Sequence, residues 1–370
     1  MKRAVLFPVV AALAVALGPS VAHVQAEPQG SQYVYVTGLA TDSVARIDVS
    51  AGTAPRLVGS PTPIPPGLLG KGVAASPDGR YVYVGPIGDN GIAAFSVGAD
   101  GTLTELPGSP APSNAFGSLA VARDGKHLYA TSSVDGRGLV TTYSINPDGL
   151  PVRAGSVQLD FTTHAGMMAV TPDGRNLYVA DFFAGRVIHL PIGADGIAGE
   201  PRARLDAGLS PVLPGVSPDG KFLYLTNETT GTVTGFRIGA DGALASIPGS
   251  PFRAETGAHG VTFSPDATRL YAPNVGGNNI SGYRIEANGA LTPLPGSPYS
   301  LGDTMSMPGL IFTSRDGNRV FAVGIATIDL QVTGRLLTMD VLPDGSLRPG
   351  AAPVDTGQLF VDGPCAAITP

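Results

Sequence analysis

The chain has 370 residues, a formal net charge of −6 and a pI near 5.3, which excludes a partner such as nucleic acid held by a strongly basic surface. Charged residues make up 14% and hydrophobic residues 43%, enough apolar surface for a large core, and 51 glycines with 34 prolines point to a chain dominated by turns. One cysteine, Cys365, excludes an intrachain disulfide; it is expected as a small buried residue in the last strand.

In chain order, the first feature is an export signal. Lys2 and Arg3 are followed by an apolar stretch over 4–17 and, at "VQA" (24–26), a small residue suited to a cleavage site, with a second candidate site after Ala22. The 14-residue apolar run is short of the ~20 residues that span a bilayer. Residues 1–26 are therefore expected to be a removed secretion signal. The mature chain, 27–370, is expected to be one domain outside the cytoplasm, secreted or at the cell surface or periplasm. No later segment is long and apolar enough to cross a membrane.

A repeat then fills the chain. "SPDGRYVYV" (76–84) returns as "ARDGKHLYA" (122–130), "TPDGRNLYV" (171–179), "SPDGKFLYL" (217–225), "SPDATRLYA" (264–272) and "SRDGNRVFA" (314–322). The C-terminal "AAITP" (366–370) is the first half of a copy, and "GSQYVYVTG" (30–38) supplies the missing second half. The proline slot falls at 77, 123, 172, 218, 265, 315 and 370, a spacing of 46 to 55 residues. A period of that size, built of strands, is a propeller blade. The absence of tryptophan excludes WD-type repeats.

Each repeat spells out hairpins. In Ser-Pro-Asp-Gly the proline presets φ and the glycine accepts a positive φ, as a tight hairpin turn requires. The flanking strands, such as "MMAVT" and "NLYV", are almost wholly apolar, which fits strands covered on both faces. A second turn of the type "GADG" (98–101, 193–196, 239–242) joins the outer strands, which often end in "GSP". The sequence thus predicts an all-β, seven-bladed β-propeller with four antiparallel strands per blade. Its ring is closed by pairing of residues 364–369 with residues 31–37, so that no edge is left free.

The tight turns occupy one end of every blade. Function is expected at the other end, where variable loops converge on the central channel. The connections between blades supply Lys71, Asn114, His164, His259, Met307 and Asp362 there. The second-strand loops supply Asp42, Asp89, Asn90, Asp135, Arg137, Asp181, Arg186, Asn227, Glu228, Asn274 and Asn278. Two histidines among carboxylates can carry general acid–base chemistry. No ligand spacing indicates a metal, and the Asp-Gly pairs lack the alternating ligands of a calcium loop. Phe182 and Phe183 are assigned to packing at a blade edge rather than to stacking on a sugar ring.

The recurrent "SPDGR.LYV", "ADG.L" and "LPGSP", with "LYVADFFAGRV" (177–187) and "FLYLTNETTGTV" (222–233), resemble the lactonase-like seven-bladed β-propellers, the 6-phosphogluconolactonase and carboxymuconate cyclase type. "YVYVTG" and "LYLTN" are similar to the Tyr-Val-Thr-Asn repeats of surface propellers. The resemblance covers residues 31–370 and implies four site positions: a His, an Arg, a Glu after an Asn, and a further Arg. Those positions here read Gly166, Val212, Glu228 and Val275, so Glu228 is retained and both guanidinium groups that would grip an anionic substrate are absent.

Taken together, the sequence reads as an extracytoplasmic propeller that binds a small molecule or glycan at the channel mouth through Lys71, Arg137, Asp181, Asn227 and Asn274. The alternative is a lactone hydrolase or isomerase with Glu228 as general acid/base, assisted by His164 or His259. A structural cell-surface propeller is the third reading. A protein partner is the alternative to a small ligand, and the chain is expected to act as a monomer without cofactor, metal or nucleic acid.

Overall fold

The computed structural model describes residues 30–370 apart from 66–68, 88–90, 114–117, 135, 160–164, 303–306, 329–330 and 362. The described residues form seven antiparallel sheets and no α-helix. Each sheet has four strands running outward from the centre. Blade 4, for example, runs Ala165–Val170, Asn176–Asp181, Arg186–Pro191 and Ala203–Asp206. In blades 1, 5, 6 and 7 the chain adds a two-residue strand that pairs back onto the third strand, as Phe252–Arg253 does on Thr232 and Val233. The ring closes as the split repeat requires: Val34, Tyr35 and Val36 pair antiparallel with Ile368, Ala367 and Ala366. Cys365 lies buried just before that last strand, and its carbonyl accepts the Thr37 N–H.

The Ser-Pro-Asp-Gly turn is a hydrogen-bonded unit. In blade 5 the Ser217 hydroxyl donates to Asp219 Oδ1 at 2.6 Å, and that oxygen also accepts the Lys221 N–H. The Phe222 N–H donates back to Ser217 Oγ at 3.0 Å. The same bonds recur at Ser76, Thr171, Ser264 and Ser314. In four of these turns the carboxyl is held below its usual range by the bonds it accepts, which outweigh the opposing effect of burial. The glycine slot has φ near +70° in Gly79 and Gly317, but blade 6 places Ala267 there at φ +58°.

No single core exists. Seven apolar clusters each fill one interface between adjacent blades; Val34, Ile47 and Val49 of blade 1, for instance, pack on Leu310, Phe321 and Val323 of blade 7. Across six interfaces a buried tyrosine of the second strand also donates its hydroxyl to the glycine carbonyl in the next blade's outer turn. The pairs are Tyr35–Gly101, Tyr83–Gly149, Tyr129–Gly196, Tyr178–Gly242, Tyr224–Gly289 and Tyr271–Gly345, at 2.6 to 2.9 Å. At the seventh interface the tyrosine is Phe321. There Arg319, whose guanidinium stacks 5.2 Å from the Phe321 ring centre, reaches into blade 1 and donates to the carbonyls of Val49, Ser50 and Thr53.

Two outcomes follow from these contacts. Burial pushes all six clasping phenols upward, Tyr271 to about 12. In the unfolded chain they ionise near their ordinary value of about 10. The protonated clasp therefore stabilises fully below about pH 10 and is lost as pH rises beyond it. Urea midpoints should hold to pH 9 and then fall, with each phenol contributing a slope of about 1.4 kcal/mol per pH unit until its folded-state value is passed. Separately, Ala267→Gly should stabilise the protein by about 0.5–1 kcal/mol, since a Cβ is unfavourable at that φ; a lowered urea midpoint would contradict this.

Candidate functional site

The site is built on the blade 5 hairpin, strands Phe222–Asn227 and Thr232–Ile238, whose turn carries Glu228. The Asn227 carbonyl accepts the Gly231 N–H and closes the turn. The Glu228 backbone is stitched on both sides: its N–H donates to the Ser210 carbonyl at 3.2 Å, and its carbonyl accepts the Gly257 N–H at 3.2 Å. The carboxylate is thus fixed by the connections that enter and leave blade 5.

His259 lies on the connection into blade 6. Its N–H donates to the Pro273 carbonyl, and the next residue, Gly260, donates to Thr226 Oγ1 at 2.6 Å. Gly260 has φ +90°, and a Cβ there would lie 2.9 Å from Leu213, so only glycine permits this path beside the site. The His259 side chain is 6% exposed. Nδ1 donates to the Gly309 carbonyl of blade 7 at 2.5 Å, and Nε2 lies 3.0 Å from Glu228 Oε1. A carbonyl accepts only, so Nδ1 carries a hydrogen. The contact between Nε2 and Oε1 then requires one proton, held as imidazolium with carboxylate or as imidazole with carboxylic acid.

The pair opens into a cavity of about 200 Å³ lined by Gly166, Met167, Ala180, Phe182, Phe183, Pro211, Val212 and Gly363. Among the described residues, the lining side chains other than Glu228 and His259 are apolar, and backbone polar groups make up part of the remaining wall. The Pro211–Val212 wall is strained: Ser210 and Leu213, on either side of it, have φ of +57° and +41°, and the strand register shifts between Val212 and Gly215. Non-glycine residues in that region cost about 1–3 kcal/mol each and concentrate at functional sites. A larger cavity of about 380 Å³ lies between blades 2 and 3, but among the described residues of its lining Arg153 is the only charged one.

Of the residues singled out from sequence, Glu228 and His259 meet. His164 lies outside the described residues, as do Asn114, Asp89, Asn90, Asp135 and Asp362, and so does the side chain of Lys71. Arg137 is exposed at the start of its strand and does not line the cavity. Asp181, Asn227 and Asn274 end the second strands of three successive blades, are buried, and are not among the lining residues of this cavity; Asn227 Oδ1 has no hydrogen-bond partner among the described residues. Asn227 Nδ2 donates to Thr232 and Thr234 Oγ1, and Asn274 Nδ2 to Asn279 Oδ1 and Ser281 Oγ, so both amides staple their own hairpins. Asp181 accepts the Ala184 N–H, and burial pushes its carboxyl up. Phe183 is 67% exposed rather than packed at a blade edge.

Sequence reasoning missed Met167, Pro211, Gly363 and the Gly309 carbonyl. A signal for part of the set was present. Gly166, Val212, His259 and Gly309 all stand six residues before the proline slot of their blades, and that one repeat position converges on the cavity from four blades.

The staple role has a measurable consequence. Asn227→Ala should lower stability by about 2–3 kcal/mol, through two lost hydrogen bonds and a small void. A chemical-denaturation curve matching that of the unaltered protein would return Asn227 to the pool of ligand-binding residues.

Comparison with known proteins agrees with this architecture. The profile of the family described as "Lactonase, 7-bladed beta-propeller" matches residues 111–211 and 163–324, together more than half of the chain. A 6-phosphogluconolactonase of Pectobacterium carotovorum is 34% identical over 133 residues, which are 34% of this chain and 37% of that protein. One from Pectobacterium atrosepticum is 35% identical over the same length. The matched stretch thus spans well under half the length of these relatives. Among solved structures, the periplasmic gluconolactonase of Pseudomonas aeruginosa superposes with a TM-score of 0.70 at 19% identity, covering 92% of this chain and 99% of that one. A proposed 6-phosphogluconolactonase of Bacteroides uniformis gives 0.72 at 19% identity, covering 92% and 100%. At that identity the superpositions speak for the fold, and the profile speaks for the kinship: the chain belongs to the seven-bladed β-propeller lactonase family.

Proposed function

We propose that the protein hydrolyses a small lactone at the Glu228–His259 cavity. The observation that carries this reading is the Glu228–His259 pair, with Nε2 and Oε1 3.0 Å apart, facing a cavity whose other described lining side chains are apolar. In such a site the Glu228 carboxylate takes a proton from water as the water oxygen bonds to the lactone carbonyl carbon. When the bond between that carbon and the ring oxygen breaks, Glu228 returns the proton to the departing oxygen. The product is a hydroxy acid, which ionises and releases one proton to the solvent. His259 is a positioning residue: anchored on the Gly309 carbonyl, it holds Glu228 and supports its charge.

The reading of binding without turnover draws on a different observation. Val212 and Val275 stand where the family resemblance places guanidinium groups, so the chain lacks that grip on an anionic sugar lactone. A neutral lactone meets both observations. An extracytoplasmic location is part of the same proposal, supported by the sequence of residues 1–26 and by the periplasmic gluconolactonase among the structural neighbours.

The test is proton release from a panel of neutral and anionic lactones by purified residues 27–370. Turnover is expected on neutral members, with kcat reduced about 10²–10⁴-fold in Glu228→Gln, the range for loss of a general acid/base. A folded native protein that binds lactones without releasing protons would leave the binding reading in its place.

A further inference from the structure

Large apolar side chains are exposed unevenly on this ring. Among the described residues seven are notably exposed: Leu57, Val152, Phe183, Leu209, Met307, Leu359 and Phe360. Leu57 and Val152 sit on outer strands. Phe183, Leu209, Leu359 and Phe360 lie on second-strand loops or blade connections, and Met307 begins the inner strand of blade 7, Met307–Thr313, all at the end of the ring that carries the cavity.

Each of the five is tied to the cavity through the backbone. Phe183 lines it and is 67% exposed. Leu209, 59% exposed, precedes Ser210 and Pro211, and the Ser210 carbonyl accepts the Glu228 N–H. The segment around Leu209 also abuts the Phe182–Phe183 turn, because the Ala207 N–H donates to the Gly185 carbonyl. Met307 stands two residues before Gly309, whose carbonyl anchors His259. Leu359 and Phe360 lead to Gly363 on the cavity wall, and Phe360 holds its exposed ring at φ +54°. Phe183 thus carries the lining out to solvent, and Leu209 stands on the segment bonded beside its turn. Exposed apolar side chains gathered at one place mark a contact surface.

We infer that the lactone carries a linear apolar chain, which leaves the cavity past Phe183 and lies along Leu209. This inference rests on the proposed hydrolysis and adds the class of substrate. A polar sugar lactone would bring no apolar surface to these exposed side chains. A cavity of about 200 Å³ accommodates a small ring, so a longer chain must extend across the rim. Apolar contact there lowers the free energy of ground and transition states alike, so it should act on KM more than on kcat.

The experiment compares γ-butyrolactone, γ-octalactone and γ-dodecalactone. The expected kcat/KM rises roughly two- to fourfold for each methylene that reaches the rim, carried mainly by KM. In Phe183→Ser/Leu209→Ser, both changes at exposed positions, the dependence on chain length should flatten. Equal kcat/KM across the series would overturn the apolar-chain inference and leave hydrolysis standing. If no lactone is hydrolysed, the catalytic proposal fails, and calorimetry with 2-pyrrolidinone and its octyl-substituted form decides the inference alone. Tighter binding of the octyl compound, weakened in the double variant, supports the rim as a chain site. Indistinguishable dissociation constants for the two lactams, or no binding of either, overturn it.

Discussion

The hydrogen bond from a buried tyrosine to a glycine carbonyl in the next blade is the contact on which this ring depends. Each blade is a small twisted sheet that would expose both faces if it stood alone. Apolar packing alone does not fix how far one blade slides over its neighbour, because dispersion contacts have little directionality. A phenol hydroxyl meeting one carbonyl at 2.6 to 2.9 Å does fix it. The outer-turn glycine is required for a second reason: at Gly101 a Cβ would lie 2.6 Å from the ring of Tyr33. The first side chain of the second strand covers the glycine, and the tyrosine two residues later clasps its carbonyl. The motif therefore repeats because the interface repeats.

The seventh interface shows what the clasp does by lacking it. Closing a ring from two half-blades brings together segments with no covalent continuity, and there the tyrosine is replaced by Phe321. Arg319 supplies three hydrogen bonds to blade 1 carbonyls in place of one. Gln32 adds a tie on each side, donating to the Thr369 carbonyl and accepting the Arg315 N–H. Charged donors make stronger bonds than a neutral hydroxyl, which suits the one joint that holds the ring shut.

The fold was legible because its signals are local and repeated six times over. Ser-Pro-Asp-Gly fixes a turn, apolar strands fix burial on both faces, and a split copy at the two termini fixes closure. The site was legible only in part. Glu228 stood out because it follows a repeated staple residue, in a position that reads Phe182 and Val275 in the neighbouring blades. His259 stood out as an ionisable group in a position that reads Gly166, Val212 and Gly309 elsewhere. Their meeting at 3.0 Å depends on the turn of one blade and the path of the next connection, which no single segment encodes. Asp181, Asn227 and Asn274 carry the converse signal: they are buried and bonded within their own hairpins. Polar residues at loops suggest ligands, yet these three recur at the same place in consecutive blades, which is the mark of scaffold. In a repeat protein, a polar residue shared by the repeats serves the repeat, and one that breaks the pattern is the candidate for function.

Scaffold and site are also separated in space. The tyrosine clasps and the Ser-Pro-Asp-Gly turns lie at one end of the blades, and the Glu228–His259 pair lies at the other. The site end can therefore hold features that would be costly elsewhere: Ser210 and Leu213 at positive φ, a half-exposed carboxylate held against a buried imidazole, and exposed aromatic rings. Each disfavours the local conformation, and none lies on an element that sets the spacing of the blades. Loops at that end are free to differ from blade to blade because the clasps hold the ring at the other end. That division lets residues around the cavity change without disturbing the repeats that set the ring.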